Sequence, residues 1–459
     1  MSHSFHQSIL RAYDIRGIIS QTLHIRDAYF LGRKFAADIF DQYNSKRIVI
    51  GYDGRLSSKI LEKELIEGLK DGGSDIITIG LCPSPMLYFA SKTLNCDGAI
   101  MITGSHNPSN YNGFKILSRD ESYYGKKIIN LANKKIKSTL REKSNINEFY
   151  MKDIYLNTLT NSLGKISNKL KIIWDPANGA ASGVLKSLIK IIPGKHLILN
   201  DKIDGTFPSH HPDPTVEENL EQLKTIVKKE KADIGIAFDG DGDRIGVVDS
   251  NSKFIAGDQL LLVFAGELLK ENKGATIISD VKASDTTFKE IRNLGGKPIM
   301  WKTGHSLIKS KMKETGALLA GEMSGHIFFA DKYFGFDDAI YASLRLLEII
   351  SRNRTIKNYL KPFSQLASTP EIKITCADKI KFSIIKKCTI IVKKKYKKFS
   401  LIDGIRVQNK YGWWLLRASN TTPNLIVRCE SSSKEKLNHL LREVEDILLL
   451  AGIKIKLKI

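Results

Sequence analysis

The stretch I-G-I-A-F-D-G-D-G-D, residues 234–243, joins a short apolar run directly to a loop in which three aspartates alternate with two glycines. The apolar run has the length and composition of a buried β-strand. Similar runs alternate with longer amphipathic segments along most of the chain, which is typical of βα units. The stretch therefore predicts an α/β fold whose strands end in polar loops.

These strand-to-loop stretches occur in three groups, and after about Ser364 strands predominate, followed by an amphipathic helix at Lys434–Leu450. We expect three related mixed α/β domains with mainly parallel sheets, at residues 1–150, 151–253 and 254–366, and a C-terminal α+β domain at 367–459. Ligands of open α/β sheets bind at the carboxyl ends of the strands, where the polar motifs fall. The expected site is a central cleft around which the four domains are arranged.

The composition indicates an anionic partner. The 459 residues include 71 Lys and Arg against 49 Asp and Glu, a formal net charge of +22, so phosphate, nucleic acid and anionic membranes all have to be considered. The densest basic stretch, K-K-K-Y-K-K at 393–398, follows the apolar run C-T-I-I-V at 388–392. We interpret the two as a strand with an exposed lysine-rich end. No nucleic-acid-binding motif accompanies the charge, so we expect no nucleic acid partner.

The cysteines and the apolar runs suggest a compartment. An odd number of cysteines without C-x-x-C spacing favours a reducing, cytoplasmic location; they are Cys82, Cys96, Cys376, Cys388 and Cys429. The N-terminal residues lack a signal pattern, and no apolar run approaches the ~20 residues that span a bilayer. We expect neither secretion nor a membrane partner.

Asp239, Asp241 and Asp243 place three carboxylates within five residues. At ~4 Å and an effective dielectric of 20, each pair costs about 4 kcal/mol, so a compact cluster requires a divalent cation or protonation. Hard oxygen ligands suit Mg²⁺ or Ca²⁺, and the glycines let the backbone curl so that the carboxylates converge. Arg244 and Ser250 occupy the glycine and glutamate positions of an EF-hand, which excludes that loop. An ion-free acidic turn is the remaining alternative.

Ser105 lies in T-G-S-H-N-P, residues 103–108, after the apolar run G-A-I-M-I. A serine in such a turn is often a cap, and the G-x-S-x-G pattern of a hydrolase nucleophile does not occur in the chain. A serine close to a metal site would instead favour phosphoryl transfer, in which the metal neutralises charge on the transferred group.

Four motifs follow one another in order: T-G-S-H-N-P at 103, D-G-D-G-D-R at 239, G-E-M-S-G-H at 321 and R-A-S-N-T-T-P at 417. In this order and at these separations they resemble the α-D-phosphohexomutase superfamily, most of all its bacterial phosphomannomutase/phosphoglucomutase group. Supporting stretches are R-A-Y-D-I-R-G at 11, H-H-P-D-P at 210, K-T-G-H-S at 302 and Y-F-G-F-D-D at 333. The resemblance runs essentially end to end. One departure is Ser20, where the family usually has glycine.

The resemblance implies that Ser105 is the phosphoserine and that it shares Mg²⁺ with the three aspartates. It implies that Lys115 is a general acid/base, assisted by Arg16 and His106. Such a lysine needs a pKa far below ~10.4, which we expect a crowded cationic pocket to supply; otherwise Lys115 only stabilises charge. The implied substrate contacts are Tyr13, Arg244, Lys282, Thr303, Gly304, His305, Glu322, Ser324, His326, Arg417, Ser419, Asn420 and Thr421.

Two groups of these contacts have distinct implied tasks. Glu322 and Ser324 match the family's loop that grips sugar hydroxyls, although Glu322 could also be a capping or salt-bridging carboxylate. Arg417 and its neighbours match the loop that holds the phosphate that is not being transferred, since a guanidinium and dense donors suit a dianion.

The implied activity is interconversion of hexose 6-phosphate and hexose 1-phosphate, for mannose and also for glucose, through a phosphoserine and a hexose 1,6-bisphosphate. Glucose 1,6-bisphosphate or an equivalent is expected as activator, and a monomer or weak oligomer as the assembly. Three alternatives stay open: a phosphoglucosamine mutase, a metal-dependent sugar phosphatase that uses Ser105, and a basic nucleic-acid-binding protein.

Overall fold

The computed structural model of the protein describes residues 3–119, 121–136, 144–353, 356–420 and 422–457. They form four sheets in chain order, each with its own helices. The first three sheets combine parallel strands with antiparallel ones, and the strand pairs of the fourth are antiparallel. The predicted architecture of three mixed α/β domains and a C-terminal α+β domain is confirmed.

The first sheet has seven strands in the order β1-β5-β4-β2-β3-β7, with β6 paired to β5. The strands are β1 (Ile15–Ile18), β2 (Arg47–Tyr52), β3 (Asp75–Leu81), β4 (Gly98–Ile102), β5 (Tyr111–Ser118), β6 (Glu121–Ser122) and β7 (Ile146–Glu148). The helices are α1 (Ile25–Tyr43), α2 (Ser58–Asp71), α3 (Ser84–Thr93) and α4 (Lys126–Asn133). Ser20, before α1, has φ 64, the left-handed region that favours glycine, so the family's glycine would suit this turn better.

The second and third sheets have the orders β12-β11-β10-β8-β9 and β14-β13-β15-β16. The second contains β8 (Lys171–Asp175), β9 (Lys195–Ile198), β10 (Ile234–Phe238), β11 (Ile245–Asp249) and β12 (Phe254–Ile255), with helices α5 (Lys152–Asn161), α6 (Ser182–Leu188) and α7 (Glu221–Glu230). The third contains β13 (Thr276–Asp280), β14 (Lys297–Trp301), β15 (Leu319–Gly321) and β16 (Ile327–Phe329), with helices α8 (Gly257–Glu271), α9 (Asp285–Asn293), α10 (His305–Thr315), α11 (Ala339–Asn353) and α12 (Lys357–Leu360).

The fourth sheet has the order β17-β22-β21-β20-β19, with β18 paired to β22. Its strands are β17 (Ala367–Ser368), β18 (Ile372–Thr375), β19 (Phe399–Ser400), β20 (Ile405–Asn409), β21 (Gly412–Ala418) and β22 (Asn424–Ser431), and its helices are α13 (Asp378–Lys395) and α14 (Lys434–Leu450). Short 3₁₀ helices cover Gln7–Ile9, Glu217–Leu220 and Lys361–Phe363.

The predicted final helix is confirmed, and one predicted strand is wrong. α14 buries Leu437, Leu440 and Leu448, as its spacing predicts. The run at 388–392 belongs to α13 and is not a strand, and the lysines at 393–395 form the last turn of that helix. Its buried residues, which include Cys388 and Val392, recur every third or fourth position and form one helical face. The run of β-branched residues is too short to show that spacing.

The core explains how the four sheets are held together. One continuous hydrophobic cluster passes through the first three units, whereas the C-terminal unit has its own cluster. The C-terminal unit meets the third through a small apolar patch in which Val281 packs with Trp413 and Leu415. Arg406 stacks on the Trp413 ring at 3.6 Å and donates to the main-chain carbonyls of Val281 and Ala283. This patch is one of several contacts that attach the C-terminal unit to the third unit.

Candidate active site

A cleft of about 810 Å³ lies between the four units, and loops of each unit line it. Three of these loops occupy equivalent positions in the fold, because each leads from a strand in parallel pairing to an antiparallel neighbour: β4 to β5, β10 to β11, and β15 to β16. They carry Ser105, the three aspartates, and the segment from Glu322 to His326, respectively. The carboxyl ends of parallel strands thus deliver all three loops to one cavity.

The structure brings most of the predicted residues together. The walls include Arg16, Ser105, His106 and Lys115 from the first unit, and Arg244 from the second. The other lining residues among the predicted set are Tyr13, Lys282, Thr303, Gly304, His305, Glu322, Ser324, His326, Arg417, Ser419 and Asn420. Thr421 lies outside the described residues.

Ser105 sits on a tightly held turn. It is only 2% exposed, and its φ of 48 lies in the left-handed region, which is costly for a residue with a Cβ. Its amide donates to Thr103 Oγ1 at 2.7 Å, and its hydroxyl donates to Asp239 Oδ2 at 2.8 Å. His106 Nδ1 lies 3.3 Å from the same hydroxyl. The serine and the acidic loop, 134 residues apart in sequence, therefore share one cavity.

The three aspartates form a compact, buried cluster. Asp239, Asp241 and Asp243 each present a carboxylate oxygen within 4.8 Å of the others. Burial, and then the charges of the two neighbours, raise the pKa of Asp239 well above its usual value. One buried oxygen of Asp241 has no hydrogen-bond partner within the described part of the chain, and the buried Oδ1 of Asp243 has an ionic contact with His326 but no hydrogen bond there. Carboxylate oxygens with unused acceptor positions in a hard-ligand cluster of this size fit a divalent cation such as Mg²⁺.

The surroundings of Lys115 differ from the expected cationic pocket. Its ammonium donates to Asp241 Oδ2 at 2.6 Å and also to Asp243. Burial alone would lower the pKa of Lys115, but these carboxylates outweigh it and hold the pKa well above the usual value. The expectation of a lowered pKa is therefore wrong for the protein in this state, because the nearest charges are negative.

Two histidines connect the acidic cluster to the loop of the third unit. His326 Nε2 lies 3.3 Å from Asp243 Oδ1, and its Nδ1 lies 3.2 Å from Glu322 Oε2. Burial disfavours the imidazolium, but Asp243 and Glu322 overcome this and raise the pKa of His326 to about 9. The His305 ring stacks on His326 with 5.4 Å between the centroids. Ser324 Oγ lies 3.0 Å from His326 Nδ1. His326, Glu322 and Ser324 thus form a charged wall of the cleft that can make hydrogen bonds.

Arg16 and Arg244 are cationic residues close to His106, the neighbour of Ser105 in the chain. Arg16 donates to Asn107 Oδ1 at 2.7 Å, within the serine loop. Arg244 Nε lies 3.4 Å from His326 Nε2. Burial, followed by the charges of Arg244 and Arg16, lowers the pKa of His106 well below its usual value. This face of the cleft is therefore cationic although His106 itself favours the neutral form.

The C-terminal unit closes the opposite side of the cleft. Arg417 Nε donates to Asp403 Oδ2 at 3.0 Å. Asn420 donates to the Tyr13 hydroxyl at 2.5 Å, and that hydroxyl donates to the carbonyl of Thr303, also at 2.5 Å. Tyr13 thus links the first, third and fourth units across the cleft.

Acidic partners of the predicted contacts were not predicted from the sequence. Glu371 accepts from Lys282 at 2.7 Å, and although burial opposes its charge, Lys282 holds the pKa of Glu371 at about 2. Asp337, at the end of Y-F-G-F-D-D, lies 3.2 Å from His305 Nδ1 and accepts from Lys309 at 2.9 Å. The motif containing Asp337 was visible in the sequence, whereas Glu371 begins the stretch E-I-K-I-T, which predicts a strand but carries no functional motif.

Two further findings concern the cysteines and the helices. All five cysteines are free and buried. Among the described residues, no helix has both the length and the apolar character needed to cross a lipid bilayer.

Four family matches cover nearly the whole chain in order. Residues 7–146, 149–253 and 256–369 match the α/β/α domains I, II and III of phosphoglucomutase/phosphomannomutase, and residues 371–447 match its C-terminal domain. The polypeptide thus contains the complete set of four domains.

Individual relatives agree. The chain is 44% identical to the phosphomannomutase/phosphoglucomutase of Pseudomonas putida over 443 residues, 94% of each chain. It is 39% identical to a phosphoglucomutase of Neisseria meningitidis, with 96% of this chain and 97% of that one covered. The crystal structure of a phosphoglucomutase/phosphomannomutase family protein from Burkholderia thailandensis superposes with a TM-score of 0.90 at 38% identity and 98% coverage of both chains.

Proposed function

The chain belongs to the phosphoglucomutase/phosphomannomutase family, a family of phosphohexose mutases, and on this basis we propose how its residues interconvert hexose 6-phosphate and hexose 1-phosphate. Phosphorylated Ser105 donates its phosphoryl group to the free C1 or C6 hydroxyl of the bound sugar phosphate. As the new P–O bond forms and the bond to Ser105 Oγ breaks, the sugar hydroxyl gives up its proton and Ser105 Oγ gains one, so no net proton is gained or lost. The resulting hexose 1,6-bisphosphate turns end for end, and its other phosphoryl group returns to Ser105.

The observation that carries the proposal is the 2.8 Å hydrogen bond from Ser105 to Asp239 inside a cleft lined by all four units. A phosphoryl group on Ser105 would lie directly beside the acidic cluster. Asp239, Asp241 and Asp243 are the residues proposed to hold Mg²⁺. When bound, the ion neutralises charge on the transferred phosphoryl group.

Lys115 is proposed as the general acid/base. Its ammonium lies at the acidic cluster, so it faces the site of transfer and can deliver a proton to the departing oxygen. A divalent ion on the aspartates would also relieve Lys115 of part of its negative surroundings. His106, 3.3 Å from the Ser105 hydroxyl, and Arg16 support the same face. If Lys115 only stabilises charge, its replacement by arginine would retain activity.

The remaining contacts are proposed to hold the sugar phosphate in two orientations. The guanidinium of Arg417, with Ser419 and Asn420, is positioned to bind the phosphate that is not transferred. Glu322 accepts from the amide of Gly304 at 2.6 Å, so its carboxylate is fixed for sugar hydroxyls. The other proposed contacts are Tyr13, Arg244, Lys282, Thr303, His305, Ser324, His326 and Thr421. Because one pocket binds the phosphate that is not transferred in both orientations, the sugar phosphate must be recognised through features that the two orientations share.

Three finer points belong to the same proposal. Glucose 1,6-bisphosphate or an equivalent would load the phosphoryl group onto Ser105, because a mutase that loses it cannot otherwise restart. The five free cysteines suit a cytoplasmic location. The assembly is proposed to be a monomer or weak oligomer.

Intact-mass analysis before and after incubation with glucose 1,6-bisphosphate tests the proposal. One phosphate should appear on the wild-type protein and none on Ser105→Ala. Mutase assays with the 1-phosphates of mannose, glucose and glucosamine then identify the sugar. Release of free phosphate without any bisphosphate requirement would instead identify a phosphatase, and activity on the glucosamine substrate alone would identify a phosphoglucosamine mutase.

A further inference from the structure

A buried ion pair lies beneath the serine loop. It is formed by Asp53 and Arg55 of the segment D-G-R, which follows β2. The side chain of Arg55 is 0% exposed and that of Asp53 is 1% exposed, with 3.3 Å between Arg55 Nε and Asp53 Oδ2. Burying two charges is costly unless their remaining hydrogen-bonding positions are satisfied, so the partners of this pair identify its task.

The partners of Arg55 are main-chain carbonyls of the serine loop. Nη2 donates to the carbonyls of Ser105 at 2.7 Å and Asn107 at 2.5 Å. Nη1 donates to those of Pro108 at 2.5 Å and Tyr111 at 2.9 Å. A single rigid fork of donors therefore fixes four points of the turn, which a lysine ammonium could not reproduce.

Asp53 holds the donor side of the same turn. Its Oδ2 accepts from Thr103 Oγ1 at 2.7 Å and from the amide of Gly104 at 3.2 Å. Thr103 Oγ1 in turn accepts from the amide of Ser105. The ion pair thus binds the N–H groups of the loop through its anion and the carbonyls through its cation.

The pair also contacts the second unit, which carries the acidic loop. The Phe207 ring lies 5.0 Å from the guanidinium of Arg55. A Cβ at Gly205 would come within 2.5 Å of the Arg55 Cα, and a Cβ at Gly240 would come within 2.5 Å of the Ser105 carbonyl oxygen. Backbones of the two units therefore approach too closely for any side chain, at the D-G-R turn and at the serine itself.

We propose that Arg55, together with Asp53, is a positioning residue that holds Ser105 in its left-handed conformation and in register with the acidic loop. Arg55 is not one of the residues that line the cleft, and its hydrogen bonds go to main-chain carbonyls and not to the Ser105 hydroxyl. In a planar trans peptide the C=O and the following N–H point in opposite directions. Holding the Ser105 carbonyl on Arg55 therefore also fixes the N–H of His106, which points away from Arg55. This positioning role of Arg55 and Asp53 depends on the proposed phosphoryl transfer at Ser105, because it concerns the geometry of the serine that takes part in the transfer.

The test compares Arg55→Lys and Arg55→Ala with the wild-type chain. In a mutase assay with glucose 1-phosphate, kcat should fall about 100-fold, as expected when a reacting group is misplaced by about 1 Å, whereas KM should change by less than about threefold. Millimolar methylguanidinium should restore part of the kcat of Arg55→Ala but not that of Arg55→Lys, in which the lysine side chain fills the space.

A matched control is Arg119→Ala. Arg119 is also an arginine of the first unit stacked on an aromatic ring, 4.0 Å over Tyr43, but its side chain is 58% exposed. Its loss should leave kcat, KM and the response to methylguanidinium unchanged. An effect of similar size there would assign the result to general loss of stability.

Hydrogen exchange separates this proposal from the proposed function. Peptides covering residues 103–111 should exchange faster in Arg55→Lys, whether or not the wild-type protein is a mutase. If the wild type has no mutase activity but the loop exchanges faster, only the function is wrong. A folded Arg55→Lys with kcat within about threefold of wild type, or unchanged exchange at 103–111, overturns the proposal. So does failure of both variants to fold, which would make Arg55 a structural residue.

Discussion

Replacing Asp239 by asparagine should stabilise the metal-free protein while abolishing its stabilisation by Mg²⁺. The carboxylate oxygens of the cluster lie within 4.8 Å of one another, so each like-charged pair costs about 3.5 kcal/mol at an effective dielectric of 20. Asp239 belongs to two such pairs, about 7 kcal/mol before compensation. The hydrogen bonds of Lys115 go to Asp241 and Asp243, which leaves Asp239 the less compensated carboxylate.

Because nearby cations offset much of this repulsion, we expect a net gain of about 2 kcal/mol in Asp239→Asn, within the range found when buried charges are replaced. Asparagine retains the oxygen that accepts from the amides of Asp243 and Arg244. In EDTA the thermal midpoint of the variant should therefore exceed that of wild type by roughly 2–4 °C. With Mg²⁺ added, the wild-type midpoint should rise and that of the variant should not, and mutase activity should be lost.

Asp175→Asn provides the control for Asp239→Asn. Asp175 ends the neighbouring strand β8 and is equally buried, but it accepts hydrogen bonds from the amide of Ala177, Asn200 and His210. Its replacement should lower the midpoint in EDTA and in Mg²⁺ alike. The electrostatic reasoning is refuted if Asp239→Asn is less stable than wild type in EDTA, or if Mg²⁺ stabilises both proteins equally.

Three further outcomes are expected. Burial raises the pKa of Asp338 to about 6 from its ordinary 3.8, so about 3 kcal/mol of stability, present at low pH, should be lost as pH rises from about 4 through 6. In urea unfolding across this range, Asp338→Asn should lack that decline. The same decline of the free energy of unfolding with pH in the variant would contradict the assignment. Arg417→Lys should raise KM for the sugar phosphate about tenfold with little loss of kcat, because lysine cannot bind phosphate through two parallel bonds; exposed Arg442→Lys is the control, and an unaltered KM would exclude Arg417 from the phosphate pocket. Trp413→Leu should cost about 2–4 kcal/mol, because it removes the ring on which Arg406 stacks; thermal unfolding measures it, and an unshifted midpoint would show that the C-terminal unit docks without this contact.

The sequence alone was sufficient for the architecture, and most of the residues it proposed for the site line one cleft, although Glu371 was not among them. Strands such as β4 and β10 are buried along their whole length, and a continuous apolar run that ends in a polar motif predicts this kind of strand with little dependence on its surroundings. The order of the motifs identified the family. The prediction of a strand at 388–392 was wrong because five residues are too few to distinguish a β-branched strand from one face of a longer helix.

The pKa of Lys115 and the hydrogen bonds of Arg55 to the loop that carries Ser105 could not be predicted from the sequence, because both depend on the folded structure. The pKa of a buried lysine depends on which charges lie within a few ångströms, and its neighbours Asp241 and Asp243 are more than 120 residues away in sequence. The carbonyls bound by Arg55 belong to a loop about 50 residues farther along the chain. A motif specifies which side chains are available. The distances that set their pKa values, and the hydrogen bonds that hold their loops, arise only when separate units pack against one another.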